Sequence, residues 1–224
     1  MTHFSDALRS GDAYYGAANV DKGYQRGELL AHEFGAVATL TTTGVCVTVT
    51  TTGAATLSAT GSLVSGGVAT FTVPRAVSLT STANNSGLSV TVNGTDVYGK
   101  TTTELITGPN NTTVRGAKAF KTVTSVTATG IVTALSVGDS DILGLPVRIA
   151  DKGKVVGLWV DGVAETTNTV VAGLSTTGTS TATTADVRGT VLGGTATNGA
   201  KRFTALLIVG DPNTKEGLYG VAQA

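Results

Sequence analysis

An all-β fold follows from three observations: apolar residues that alternate with Thr or Ser, turn signals spaced as sandwiches and barrels need, and almost no helix-forming windows. From Gly35 onward "VATLTTT", "GVCVTVTTT", "GGVATFTVP", "GLSVTVNGT", "TTELITG" and "KTVTSVTATG" alternate with period two, the pattern of strands with one buried face. Thr is stiff at χ1 and suits a pleated surface, so it supplies wet faces without charge. Thr43-Gly44, Thr52-Gly53, Ser65-Gly66-Gly67, Asn93-Gly94, Tyr98-Gly99 and Gly108-Pro109-Asn110-Asn111 punctuate these runs. The expected architecture is a Thr-rich antiparallel sandwich or barrel-like domain, or domains, with an extended N-terminal arm.

Residues 1–34 are that arm. They hold three of the five Tyr, both His (His3 and His32) and much of the acidic charge. Ser5 caps at most a turn or two before Gly11. The segment is too short to bury its own aromatics and too aromatic for a plain disordered tail, so a partner surface is expected to receive it. Residues 35–137 form a Thr-rich β domain. Within it, 87–130 reads as four successive strands, with Leu88–Val92 and Lys100–Ile106 joined through Asn93-Gly94 and Tyr98-Gly99, and Pro109 ending the second. Residues 138–224 form a second β section, separate or part of the same domain. It has strands around Leu143, Val147 and Val155–Val160, where Trp159 anchors a core or an interface. The "STTGTSTATTADVRGTVLGGTATNGAKR" stretch reads as a long exposed excursion with a local strand start at 185–190. The apolar run "RFTALLIVGD" reads as a central strand, and the terminal "GLYGVAQA" is expected to dock.

Bulk composition narrows the function. With 15 basic and 15 acidic residues among 224 the formal charge is zero, so nothing points to nucleic acid or an anionic membrane. Charged residues make up 13%, about half the usual share. Such neutral polar surface suits a chain that packs against copies of itself or a partner. No run approaches the length of a membrane span. The N-terminus lacks a basic region followed by an apolar core, so synthesis in a cytoplasm without export is expected. Cys46 stands alone within "GVCVTV" and reads as a small buried filler.

Reactive constellations are scarce. Both His lie in the arm, where no nucleophile is held against them. No Cys/His pairing suits zinc. Asp139 and Asp141 flank Ser140 and could hold Ca²⁺, although a turn in which they bond backbone amides is the plainer reading. Asp96, Glu104, Asp139, Asp141, Asp161 and Glu165 all read as turn or wet-face carboxylates, with nothing to pair two of them across a cleft. The glycines mark strand ends rather than a phosphate cradle. The expectation is a protein without catalytic residues, metal or cofactor.

"Tyr24-Gln25-Arg26-Gly27-Glu28-Leu29-Leu30-Ala31" resembles the Arg-Gly-x-(Val/Leu)-Leu-Gly/Ala element of head decoration proteins of tailed bacteriophages. Residues 87–130, "TATTADVRGT" and "GLYGVAQA" look like Thr-rich modules of phage virion proteins. These stretches cover about half of the chain. The resemblance implies a capsid decoration (cement) protein on the virion exterior, bound to the major capsid protein and commonly a homotrimer. The chain is much longer than a minimal decoration protein, which leaves room for an added β domain or another position in the virion. Tyr14, Tyr15, Tyr24, Arg26 and Leu30 are the residues expected to dock the arm on the capsid. The alternative is a tail, fibre or receptor-binding protein that recognises a host-surface carbohydrate.

Overall fold

A computed structural model describes residues 27–174 and 185–210. The fold is all-β, built from large antiparallel sheets, one of them curled as a half-barrel. Its strands in chain order are β1 (Gly27–Ala36), β2 (Cys46–Val49), β3 (Ala55–Leu57), β4 (Val64–Ser65), β5 (Val68–Ser81), β6 (Ser89–Thr95) and β7 (Thr101–Thr107). There follow β8 (Thr113–Ala128), β9 (Leu135–Gly144), a 3-10 turn at Lys152–Lys154, β10 (Val155–Val160), β11 (Val163–Ala164), β12 (Asn168–Ala172), β13 (Gly189–Gly193) and β14 (Arg202–Gly210).

A four-stranded sheet runs β1-β14-β10-β11. A ten-stranded sheet runs β12-β13-β9-β5-β8-β6-β7, with β2, β3 and β4 on flanking pairings. Two-residue turns close two hairpins. Gly66-Gly67 joins β4 to β5 and Asp161-Gly162 joins β10 to β11, with all four residues at positive φ. That is the geometry that matches strand twist. Threonines line up laterally on the wet face of the large sheet, as in the row Thr70–Thr122–Thr95–Thr101. The Thr95 and Thr122 hydroxyls lie 2.7 Å apart.

Residues 87–130 form three strands rather than four, because β8 runs unbroken for 16 residues. Asn93-Gly94 is no turn: both residues sit inside β6. A Cβ on Gly94 would run into the Thr122 carbonyl, so glycine here permits close strand approach at a bulge. Gly108-Pro109-Asn110-Asn111 does turn the chain, with Asn111 at φ 48° and Pro109 accepting from the Asn85 amide.

Side chains divide into two cores. Val45, Phe71, Leu79, Val92, Phe120 and Leu135 belong to the first. Phe34, Val37, Leu143, Leu158, Val191, Phe203 and Leu207 belong to the second. The division lies close to the section boundary expected at 137/138, but the backbone does not break there. Residue 138 is internal to β9, which serves both cores. Residues 27–34 also depart from the arm expected of them: they are most of β1, paired to β14, and Phe34 is buried. The expected excursion is partly core as well. Val187, Thr190 and Val191 are buried, and β13 sits between β12 and β9.

Candidate functional site: an open apolar sheet face and closed charge networks

Strand β14 is apolar on both sides, a pattern that fits a strand covered on both faces. Phe203, Ala205 and Leu207 point into the second core. Leu206 and Ile208 point the other way, onto the outer face of the four-stranded sheet. Register places Leu29 beside Ile208, Ala31 beside Leu206, and Glu33 beside Thr204. On the far side, Gly157 pairs with Leu206, and Trp159 pairs with Thr204 and Ala164. Leu29 is 65% exposed and Ala31 is exposed, while Trp159 is half-buried, its ring lying over Gly157. Trp159 therefore belongs to the outer face, whereas its neighbours Leu158 and Val160 are core.

The expected docking residues distribute as follows. Tyr14, Tyr15, Tyr24 and Arg26 lie outside the described residues. Leu30 lies on β1, half-buried and packed against the second core, so its side chain is on the opposite face from Leu29. His32 shares that inner side, edge-on to Phe34 at 4.6 Å between ring centroids, and burial lowers its pKa.

The carboxylates expected in turns or on wet faces split into two groups. Asp161 and Glu165 do sit at turns. Asp161 accepts from the Arg202 amide, and Glu165 from the amide and hydroxyl of Thr195, a hydroxyl bond that lowers its pKa. Asp96, Glu104 and Asp139 are buried, and Asp141 nearly so. Asp96 is also at the turn expected of it, its Oδ1 accepting from the Tyr98 and Lys100 amides, whereas the partners of Glu104, Asp139 and Asp141 lie far along the chain, which is why local sequence gave no sign of them.

Arg75 on β5 is the centre of the first network. It lies 2.6 Å from Asp139 and 3.3 Å from Asp141, both on β9, and donates to the carbonyls of Ser140 and Ala38 and to the Thr197 hydroxyl. The two aspartates thus grip a guanidinium, and no turn presents them to Ca²⁺. Burial still pushes Asp139 upward in pKa, against the pull of Arg75. Among the described residues no group of His, Cys, Asp and Glu could hold a metal ion.

A second network joins β7, β8 and the 186–188 segment. Asp186 accepts from the Ala119 and Arg188 amides. The Arg188 guanidinium lies 2.9 Å from Asp96, without hydrogen-bond alignment, and 5.4 Å from the Tyr98 ring centre. Lys118 is fully buried, donates to the Thr103 carbonyl, and is lowered by burial to about 8. Glu104 accepts from the Ala117 amide, while its Oε2 has no hydrogen-bond partner and burial raises it to about 7. Acid, base and perturbed pKa values meet here. Yet Lys118 and Glu104 are sealed at 0% and 4% exposure, so the cluster ties strands together where a substrate would need an opening. Cys46 is likewise sealed, its thiol pushed up to about 11.

No known protein family, curated protein or solved structure matches the chain.

Proposed function

We propose that this chain is a non-enzymatic virion structural protein that binds the outer surface of a phage capsid. In this reading it clamps neighbouring major capsid protein subunits, commonly as a homotrimer, and stabilises the head. The observation that carries the proposal is the outer face of β1-β14-β10, where Leu29, Ala31, Leu206, Ile208 and Trp159 form an apolar surface on a rigid sheet. An aliphatic and aromatic patch of this kind marks a docking surface. The resemblance of residues 24–31 to the decoration-protein element supports the same reading, because that stretch leads directly into β1. Tyr14, Tyr15 and Tyr24 precede β1 in the sequence, and β1 begins where Gly27 pairs with Gly210. Several modest contacts on one oligomer combine as avidity, and binding to the assembled shell stabilises it by mass action.

The test is localisation and copy number in purified particles, followed by rebinding of the Leu29→Glu and Ala31→Glu variants to stripped heads. A fixed ratio to the main shell subunit, with rebinding lost in both variants, is expected. Absence from the head, or full rebinding by both variants, sinks the proposal. The half-exposed Trp159 ring favours one second reading, a carbohydrate-facing tail or fibre protein. Location at the tail tip and quenching of Trp159 fluorescence by host glycan would select it.

A further inference from the structure

We infer that Arg148 is an anion receptor that takes a carboxylate from a neighbouring protein subunit. The inference rests on the capsid-binding reading for the identity of the neighbour, though not for the existence of the site.

Among the described residues three large cationic groups are buried besides Arg148, and each has compensation. Arg75 has two aspartates, Arg188 has Asp96, and Lys118 lies in the field of Glu104 and Asp186. Arg148 is only 7% exposed, yet its Nε has no hydrogen-bond partner, and no carboxylate pairs with it among the described residues. A buried guanidinium nitrogen left unpaired, with no counter-charge among the described residues, is costly, so this position calls for an acceptor. The sequence between Leu174 and Ala185, "STTGTSTATT", contains no acidic residue.

The fold also holds Arg148 in place. It lies between the buried Val147 and Ile149, and the Ile149 amide and carbonyl bond to Arg188 and Gly173. A side chain at Gly173 would press on the Arg148 stem, so glycine leaves room for it. Nearby surface is apolar: Leu174 is 56% exposed, and Tyr98, 37% exposed, donates its hydroxyl to the Pro146 carbonyl. An arginine with an exposed tyrosine and leucine in its neighbourhood has the make-up of a protein-binding hot spot. A planar guanidinium matches a carboxylate bidentately. A polyanion would call for a field of cations, which this neutral chain does not offer.

The test uses the full chain, with the Arg148 Nε–Hε resonance assigned through its own backbone amide. Titration with sodium acetate should give a saturable shift of that resonance and leave those of Arg75 and Arg188 in place. No shift, or a shift with inorganic phosphate alone, overturns the inference. On stripped heads, Arg148→Gln should bind at least about thirtyfold more weakly, the loss expected when one member of a buried charge pair is removed. Unchanged binding by a folded Arg148→Gln variant also overturns it. If Leu29→Glu abolishes binding while acetate leaves Arg148 unmoved, the capsid reading stands and this inference falls. If acetate saturates the site in a chain found on no particle, the receptor stands and the capsid reading falls.

Discussion

Glu104 gives the sharpest physical test of the fold. Its carboxyl is raised from 4.5 to about 7, chiefly by burial, so the folded state holds that proton more tightly than the unfolded chain does. The sign follows from linkage. A raised acid is most favourable to the fold below pH 4.5, and that advantage is lost as pH rises through the window to about 7. Each pH unit of displacement is worth about 1.4 kcal/mol, so the loss amounts to about 3 kcal/mol. Glu104→Gln keeps an acceptor for the Ala117 amide and removes the titration. Urea melts of both proteins between pH 4 and 8 should coincide near pH 4 and diverge above it, with the variant about 2–3 kcal/mol more stable by pH 7.5. The difference curve is what matters, because His32 is lowered and contributes the opposite slope, while Asp139 is raised and contributes the same one. A difference curve that is flat across this window would refute the claim that Glu104 is desolvated by its neighbours.

Three further outcomes are expected. Trp159→Ala should cost about 1–2 kcal/mol in a denaturant melt, short of the about 3–5 typical of a core tryptophan, because the ring is on the outer face. Deleting residues 1–26 should leave the melt intact, whereas deleting 1–34 should destabilise the fold by about 3–5 kcal/mol, since it removes buried Phe34 and most of β1. Gly138→Ala should abolish soluble folded protein, because the new methyl would run into the Thr41 carbonyl, while Gly53→Ala, with open space around it, should stay within about 0.5 kcal/mol of wild type.

The strands were legible wherever apolar and hydroxyl residues alternate. "KTVTSVTATG" and "GLSVTVNGT" lie on β8 and β6 with Val buried and Thr outward, because local pattern and tertiary burial agree there. Legibility failed where a residue's meaning comes from a distant strand. Glu104 and Lys118 look like surface charges within β7 and β8, yet both are buried in the folded chain, in the field of Asp186. Asp139 and Asp141 look like a turn until Arg75, more than 60 positions away, is set between them. Gly94 punctuates the sequence as a turn would, yet it sits inside β6 and permits close strand contact, whereas the strand start expected at 185–190 is met where Gly189, at φ 99°, opens β13. The run "RFTALLIVGD" reads as a central strand and β14 is one, between β1 and β10, but the run gives no sign that Leu206 and Ile208 are on an outer face. A run that is apolar on both sides records that cover is needed without saying who provides it.

Strand β9 passes from one hydrophobic core into the other, and Arg75 from β5 fastens it near the crossing. A strand shared in this way couples the two halves, so loosening one is expected to loosen the other. Calorimetry should therefore record a single cooperative transition, with calorimetric and van't Hoff enthalpies equal.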